Sequence, residues 1–254
     1  MKIARSVSEL RLEGEVGLVP TMGALHAGHI SLFERARAEN DVVVASLFVN
    51  PAQFDEQADL ARYPRDAARD EQVAEQAGVD VLFAPRPEEM YPPGFATWVD
   101  VQGTGAEGDA RPGHFRGVAT VCLKLFNIVR PARAYFGQKD AQQAIVVRRL
   151  VRDLNLGVDV RVLATVRDAD GLALSSRNVQ LSPTERERAL GLPRALAKAA
   201  ESGDPVAVAR AELNGLDPDY VALLDLDGAT LLAAAVRVGS TRLIDNVLVK
   251  GALP

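Results

Sequence analysis

Short apolar runs alternate with amphipathic segments over residues 1–165. Residues 42–49 are nearly all apolar, with several β-branched positions, which is typical of a strand buried on both faces. Further strands are predicted at 16–19, 79–83, 134–136 and 158–164, and helices at 29–40, 60–77, 117–129 and 141–154. This alternation predicts an α/β fold with a Rossmann-like parallel sheet and helices on both of its faces. Ligands of such a sheet bind beyond the carboxyl ends of its strands.

The pattern changes after about residue 166. Ser182 and Glu185 have the spacing of a capping box, which predicts a helix start. Two alanine-rich helices follow, divided near 203–205, and short strands are predicted around 220–224, 236–238 and 246–249. We therefore predict a Rossmann-like ligand-binding domain over 1–165 and a smaller C-terminal α+β lid domain over 166–254.

Composition and charge narrow the class of protein. The chain has 254 residues, of which 48% are hydrophobic, and this is enough for a substantial core. Its net charge of -5, without a block rich in Lys and Arg, argues against nucleic acid as a partner. No apolar stretch is long enough to span a bilayer, and the N-terminus lacks the apolar core of a signal peptide. We expect a cytoplasmic protein with no membrane partner, in which the single cysteine, Cys122, is buried filler.

The segment 20–29, Pro-Thr-Met-Gly-Ala-Leu-His-Ala-Gly-His, joins a predicted strand to a predicted helix. Gly23 and Gly28 let a ligand approach the backbone closely, and the amides at a helix N-terminus attract phosphate oxygens. His26 and His29 are predicted to face that phosphate, either as hydrogen-bond donors or as cations. Solvated or helix-capping histidines are the alternative interpretation. A zinc pair is another, but the further ligands that zinc needs do not accompany these histidines.

A second glycine pattern matches a dinucleotide-binding motif but lacks the context that such a motif requires. Residues 103–108 match Gly-x-Gly-x-x-Gly and follow a strand-like run at 95–101. A dinucleotide site should open a helix and be followed about 20 residues later by an acid, whereas residues 109–114 interrupt here and Ile128 lies at that distance. A flexible loop is predicted instead.

The segment 111–117 holds the third histidine and two arginines. His114 is expected to pack at the start of the following helix rather than to take part in catalysis. Arg111 and Arg116 either contact an anion or are solvated at the surface.

Two segments that follow predicted strands offer groups for a small polar ligand. Asn50 and Gln53 carry carboxamides that bind carboxylates and hydroxyls, and Phe54 with Met22 can pack against methyl groups. Residues 137–140, Gly-Gln-Lys-Asp, supply a close backbone approach, a cation for phosphate and a carboxylate for ribose hydroxyls. Ordinary loop and helix-start residues are the alternative in both places.

Gln143 and the segment 174–178 complete the set of candidates. Gln143 projects from the same first helical turn as Asp140. Ser175, Ser176 and Arg177 offer two hydroxyls and a guanidinium that can wrap phosphates, although a plain Ser-rich linker has the same composition. This loop joins the two predicted domains, where closure would expel water from a site.

Together these segments resemble the pantothenate synthetase family of the nucleotidylyltransferase superfamily. The segment 20–29 contains the superfamily's His-x-Gly-His signature, and the likeness continues, in the same order, at 48–54, 63–65, 111–117, 136–143 and 170–178, and weakly at 241–246. Two positions depart from the family: Gln138 stands where Glu is frequent, and Leu174 where some members have Met. Neither departure removes a charged group assigned to phosphate, so we expect activity to survive.

The resemblance implies a two-step reaction. Pantoate attacks the α-phosphate of ATP, giving pantoyl adenylate and pyrophosphate, and β-alanine then displaces AMP to give pantothenate. It also implies a homodimer, and Mg²⁺ that bridges phosphate oxygens, with Asp70 only a weak candidate as a ligand.

The resemblance further implies roles for individual residues. His26 and His29 stabilise the transferring group, with His29 a candidate proton donor, and Gln53 with Gln143 holds pantoate. The implied catalytic residues are His26, His29, Lys139, Ser175, Ser176 and Arg177. The implied ATP-binding residues are Met22, Gly23, Ala24, Leu25, His26, Ala27, Gly28, His29, Gly137, Gln138, Lys139, Asp140, Val166, Leu174, Ser175, Ser176 and Arg177. The implied substrate-binding residues are Met22, Asn50, Gln53, Arg111 and Gln143.

The residues by themselves support only a nucleotidyl or adenylate-forming transferase. We call residues 50–54 the acceptor wall, because they are predicted to line the site of the acceptor substrate. A transferase of the same superfamily that acts on a phosphorylated acceptor should have more basic residues there. A non-catalytic ATP sensor is the alternative from a different class of protein.

Overall fold

A computed structural model describes residues 1–55 and 57–253 and contains two sheets. The strands of the larger sheet are β1 (Lys2–Ala4), β2 (Val16–Thr21), β3 (Val42–Leu47), β4 (Val81–Phe83), β5 (Arg133–Gly137) and β6 (Asp159–Leu163). They are parallel and lie in the order β1-β4-β3-β2-β5-β6. The predicted parallel sheet is therefore confirmed.

Helices cover both faces of this sheet. The long ones are α1 (Ala27–Glu39), α3 (Ala67–Gln76), α6 (His114–Val129) and α7 (Ala141–Asp153), and the short ones are α2 (Gln57–Arg62), α4 (Pro87–Met90) and α5 (Ala106–Ala110). Alternate strand residues bury into opposite layers: Leu18 packs with α6 and α7, and Val19 packs with α1 and α3. This two-sided burial explains why the central strands are almost continuously apolar. Cys122 is buried in α6, as expected.

The order of the strands places a ligand crevice at the middle of the sheet. From β2 the chain continues to β3 on one side, whereas β5 lies on the other side of β2. Such a switch point leaves a gap beyond the carboxyl ends of the two strands, because the connections leave in opposite directions. The segments that follow β2 and β5 are the candidate sites 20–29 and 137–140.

The smaller sheet is antiparallel and belongs to the C-terminal part of the chain. Its strands are β7 (Pro218–Leu226), β8 (Ala229–Val238) and β9 (Thr241–Lys250), preceded by α8 (Pro183–Ala189), α9 (Gly191–Ala200) and α10 (Pro205–Glu212). One face packs against these helices, and Leu231 on the other face joins a cluster with residues of α7 and β6. The predicted capping box is confirmed, since Ser182 and Glu185 bond reciprocally at the start of α8.

Three sequence predictions about the elements are wrong. Residues 60–77 form two helices rather than one, because Pro64 disfavours a helical Tyr63 and Asp66 caps the start of α3. The run 95–101 is not a strand. Its apolar residues pack on the core without pairing to a sheet, and the amide of Val99 donates to Thr120 Oγ1. The glycine segment 103–108 is a loop only as far as Gly105, which caps the start of α5 at Ala106.

None of the helices in the described ranges has the length and apolar character needed to cross a bilayer.

Candidate active site

A cavity of about 370 Å³ lies beyond the carboxyl ends of β2 and β5, within the usual size of small-molecule sites. The predicted residues that line it are Met22, His26, Gly28, His29, Asn50, Gln53, Arg111, Gly137, Lys139, Asp140, Gln143, Val166, Leu174, Ser175, Ser176 and Arg177. Segments that are far apart in the sequence therefore converge on one chamber. Gly23, Ala24, Leu25, Ala27, Gln138 and Asp70 are not part of its lining.

The two histidines of the 20–29 segment form a pair of neighbouring rings, tilted by 42°, at the start of α1. His26 is the N-cap, and its Nδ1 accepts a hydrogen bond from the amide of Gly28 at 3.1 Å. The Nδ1 of His29 accepts from the amide of His26 at 3.3 Å, and the ring centroids are 4.2 Å apart. Because each Nδ1 is an acceptor, the proton of each neutral ring lies on Nε2. The capping interpretation and the phosphate-binding one thus use different nitrogens of the same rings.

Burial keeps both imidazoles neutral at physiological pH. It lowers the pKa of His26 to about 4, with help from the nearby Lys139 charge, and the pKa of His29 to about 3, with help from His26. A neutral Nε2–H remains a hydrogen-bond donor. Of the two roles that the sequence left open, the structure favours hydrogen-bond donation over a resident positive charge.

These pKa values predict that acid destabilises the fold before the carboxylates titrate. The pKa of His114 is also lowered by burial, to about 4. An unfolded chain takes up protons on its histidines below about pH 6.5, whereas the folded protein does not until about pH 4. Stability is therefore lost as the pH falls, by up to about 1.4 kcal/mol per pH unit for each histidine. Urea unfolding between pH 7.5 and 5.5 measures this decrease in the free energy of unfolding. The decrease should be smaller in a His114→Asn variant, which has one buried histidine fewer. Equal slopes for parent and variant would contradict the prediction.

Asp70 holds the loop before His26, in a different role from the predicted one. Its two carboxylate oxygens accept hydrogen bonds from the amides of Ala24 and Leu25 at 2.9 and 2.8 Å, and its side chain is buried. A β-carbon on Gly23 would lie 2.7 Å from Asp70 Oδ2, and the φ of this residue is +85°. Only glycine fits there without strain. The structure therefore uses Asp70 to shape the loop and gives no support to metal ligation by it.

Lys139 and Asp140 follow β5 and face the same cavity. The Nζ of Lys139 lies 3.3 Å from Asp140 Oδ1, and the lysine side chain is 18% exposed. Burial opposes ionisation of Asp140, but the charges of Lys139 and Arg177 outweigh it and lower the pKa of this carboxyl. The pair therefore presents a cation and an ionised carboxylate side by side.

The side chain of Gln138 has a structural role and does not line the cavity, so its predicted contact with ATP stays a prediction. Its side chain is buried and its Nε2 donates to Asn246 Oδ1 at 2.9 Å, while Asn246 Nδ2 donates to the carbonyls of Gln138 and Lys139. This closed set of bonds ties the turn after β5 to β9 of the smaller sheet. An amide suits it, because Gln138 here acts as a donor toward an oxygen acceptor.

The loop 174–178 is held across the cavity by a contact that the sequence did not predict. Arg177 Nη2 lies 2.8 Å from Asp59 Oδ2 of α2, and the guanidinium lies 5.9 Å from the centre of the Tyr63 ring. Ser176 Oγ is 3.4 Å from the hydroxyl of Tyr63. Phosphate oxygens entering this part of the cavity would compete with Asp59 for the arginine.

The acceptor wall is built on a 3₁₀ turn at Pro51–Gln53. Asn50 donates to Gln53 Oε1 at 3.0 Å and to the carbonyl of Gly117 at 3.1 Å, and its own oxygen accepts from Tyr91. A β-carbon on Gly117 would lie 2.2 Å from the carbonyl of Ala52, so α6 can approach the turn only with glycine there. Asn50 thus fixes Gln53, which contributes its amide to the cavity.

Arg111 and His114 hold the same turn from the other side. Arg111 pairs with Asp55 at 2.8 Å, and both its Nη2 and the Nδ1 of His114 donate to the carbonyl of Gln53. His114 is the first residue of α6 and is buried, as expected. Arg116 lies outside the cavity lining and stacks over Trp98, 4.9 Å from the ring centre.

Comparison with known proteins identifies the family. A family model described as pantoate-beta-alanine ligase matches residues 1–248. The chain belongs to the pantoate-beta-alanine ligase family. The resemblance inferred from the motifs is therefore confirmed.

Relatives within this ligase family match over nine tenths or more of their length. A pantothenate synthetase of Roseiflexus castenholzii is 52% identical over 277 residues, covering 98% of this chain and 100% of the relative, and one of Moorella thermoacetica is 54% identical over 258 residues, covering 92% and 91%. The crystal structure of a Thermus thermophilus pantothenate synthetase superposes with a TM-score of 0.92 at 48% identity, covering 99% of this chain and 100% of that one. The ligase from Francisella tularensis, crystallised with β-γ ATP and β-alanine, has a TM-score of 0.86 at 37% identity and 99% coverage of both chains.

Three residues that received no role in the sequence analysis, Asp59, Tyr63 and Glu107, line the cavity. Tyr63 lies in a segment that carried the resemblance, but it received no role. Asp59 gave no signal, since it reads as one acid on a charged helix. Glu107 lies inside the rejected glycine pattern, yet it is buried and lines the cavity.

Proposed function

We propose that this ligase condenses pantoate with β-alanine to give pantothenate, at the expense of ATP and through a pantoyl adenylate. The observation that most strongly supports this proposal is that the segments 20–29, 50–54, 137–140 and 174–177 converge on one cavity. The Francisella relative, crystallised with an ATP ligand and β-alanine, supports two of the three substrates. The family name supports pantoate.

In the first step, a carboxylate oxygen of pantoate attacks the α-phosphorus of ATP, and the bond to the β-phosphate oxygen breaks. We assign the Nε2–H groups of His26 and His29 to the phosphate oxygens that gain charge, and Lys139, Ser175, Ser176 and Arg177 to the β- and γ-phosphates. The two imidazoles are oriented by backbone amides bonded to their Nδ1 atoms, and donors that are preorganised in this way are the effective ones. The protein acts by positioning and charge stabilisation without a covalent intermediate.

In the second step, the amine of β-alanine attacks the acyl carbon of the adenylate, AMP leaves, and the amine proton passes to water. We assign Gln53 and Gln143 to pantoate and Asp140 with Gly137 to the ribose. Gln53 also borders the space left for β-alanine. The buried turn that carries Gln53 supports the group that positions pantoate, both for attack on the α-phosphorus and for attack by the amine on the acyl carbon.

Four finer assignments are part of the proposal. Mg²⁺ would accompany ATP as its phosphate complex. Among residues 1–55 and 57–253 no three or more His, Cys, Asp or Glu side chains form a metal-binding group, which fits an ion held mainly by phosphate oxygens. A homodimer, which sedimentation velocity would detect, and a cytoplasmic location are family-based expectations. The domain division at 165/166 is supported by separate core clusters on either side of it.

The proposed order of steps predicts pyrophosphate release before β-alanine is added. ATP with pantoate alone should give pyrophosphate in an amount close to that of the enzyme, because the adenylate stays bound. AMP and turnover should appear when β-alanine is supplied. A coupled pyrophosphate assay and chromatography of the nucleotides measure both products.

The control for this assay is a panel of small hydroxy acids in place of pantoate. AMP released equally without pantoate would refute the assigned order. ATP binding without pyrophosphate release from any acid would instead favour the non-catalytic ATP sensor.

A further inference from the structure

A chain of alternating charges connects the smaller sheet to the acceptor wall. Arg242 of β9 contacts Glu107 of α5 through two hydrogen bonds, Nη1 to Oε1 and Nη2 to Oε2, each of 2.8 Å. Its Nε also lies 2.5 Å from Asp219. On the other side of Glu107, Arg111 Nη1 lies 3.6 Å from Oε1, and the same guanidinium pairs with Asp55 at 2.8 Å. Glu107 therefore stands between two arginines from different parts of the chain.

Glu107 is buried, with only 5% of its surface exposed. Its amide donates to Gln142 Oε1 at 2.8 Å, which fastens α5 to the start of α7 next to Gln143. A buried carboxylate is tolerated only when cations and hydrogen bonds replace its water. Here the two parts of the fold each supply one of those cations.

We propose that Glu107 and Arg242 are positioning residues for the acid substrate, acting through Arg111 on Gln53. Arg111 Nη2 donates to the carbonyl of Gln53, which also receives His114 Nδ1 at 2.7 Å. With the carboxylate of Glu107 removed, two guanidiniums face each other without their shared anion, and Arg111 keeps Asp55 on one side but loses the anion on its other side. The turn that carries Gln53 then shifts. This proposal rests on the proposed function, because it concerns the pantoate side of that reaction.

The row of alternating charges contacts a group assigned to pantoate but none of those assigned to the ATP phosphates. The groups assigned to the ATP phosphates, His26, Lys139 and Arg177, have no hydrogen bond to Glu107, Arg111 or Arg242 within the described ranges. Disruption of these ion pairs is therefore expected to change the KM for pantoate and not the KM for ATP. A general loosening of the fold would affect both.

The test measures KM for pantoate and for ATP, with kcat, in Glu107→Gln, Arg242→Met and the double variant. The single variants should raise the KM for pantoate about tenfold or more, since small misplacements of a substrate-positioning group have effects of this size. The KM for ATP should stay within twofold. The double variant should cost less than the two single effects combined, because removing both partners leaves no orphaned charge.

Arg148→Met is the matched control. Arg148 of α7 pairs with Asp227 in the turn between β7 and β8, so it also links the two parts of the fold, but it does not line the cavity. Its KM values should equal those of the parent. Arg242→Lys keeps the charge but loses the bidentate contact, so its KM for pantoate should lie between those of the parent and Arg242→Met. This variant replaces Arg242→Met in the test if Arg242→Met fails to fold.

Unchanged KM for pantoate, equal rises for both substrates, or strict additivity in the double variant would overturn the positioning proposal. The unaltered ligase is assayed in the same series. If it releases no pyrophosphate with pantoate, the proposed function itself fails, and that result is distinct from an active parent with unaffected variants.

Discussion

Replacement of His29 by alanine is expected to lower kcat about 10²- to 10³-fold, the size of effect seen when one preorganised donor to a developing charge is removed. The Nδ1 of His29 is occupied by the amide of His26, so only Nε2–H is left for the phosphate. Burial holds the ring neutral, with a pKa lowered to about 3, and this donor is therefore present at every pH at which the ligase is folded and assayed. The unfolding free energy should fall by only about 1 kcal/mol, as for loss of a helix-capping bond.

Two matched variants separate the nitrogens of His29. The amide oxygen of His29→Asn can replace Nδ1 as acceptor but leaves no donor at the Nε2 position, so turnover should fall as far as in the alanine variant while stability is kept. The amide of His29→Gln reaches the Nε2 position and should retain more activity. Stopped-flow or quenched-flow measurement of pyrophosphate release isolates the first step. Normal turnover in His29→Asn would remove the Nε2 donor from the mechanism.

The parts of the site that the sequence predicted are those made by neighbouring residues. His26, Gly28 and His29 lie within one loop and one helical turn, so their spacing fixes their geometry. Lys139 and Asp140 follow β5 directly, and Asn50 and Gln53 follow β3. The carboxyl ends of parallel strands lie at one edge of the sheet, so the α/β pattern alone predicts that these segments converge.

The parts that the sequence did not predict depend on partners far along the chain. Glu107 and Arg242 are 135 positions apart, and Asp59 and Arg177 are 118 apart. No periodicity links such pairs, because each depends on how segments far apart in the chain pack against each other. Gln138 is another case: its position after β5 gave no sign that its side chain bonds to Asn246 of β9, 108 positions away.

The fold shows the same division between local and distant causes. Strands β2 and β3 were predictable because burial on both faces gives long apolar runs. Strand β1 has three residues and gave no pattern, and it forms because β4 offers it a free parallel edge. The run 95–101 had the apolar residues of a strand, but its amides are not paired with a sheet, and one donates to Thr120. Apolar content predicted burial there without predicting the pairing.

Replacement of Lys139 by methionine is the second large effect that we expect. The lysine side chain is mostly buried beside the cavity, 3.3 Å from Asp140, and methionine keeps most of its length and packing without the charge. Pyrophosphate leaves with growing negative charge, and Lys139, in the turn after β5, lines the cavity that would receive it. We expect kcat/KM for ATP to fall about 10²- to 10³-fold. Lys139→Arg, which keeps the charge but not the compact geometry of the ammonium, should lose less.

An independent observable tests whether the charge of Lys139 acts inside the cavity. That charge is one of the causes of the lowered pKa of His26, so NMR titration of Lys139→Met should show this pKa rising toward its ordinary value. Lys198→Met is the control, because Lys198 is exposed on α9 and pairs with Glu212 away from the site. It should change neither turnover nor the His26 titration. A Lys139→Met enzyme within threefold of the parent would end the assignment of Lys139 to the phosphates. A raised pKa of His26 in that same enzyme would mean that the charge lies in the cavity but that the leaving pyrophosphate is stabilised by other groups.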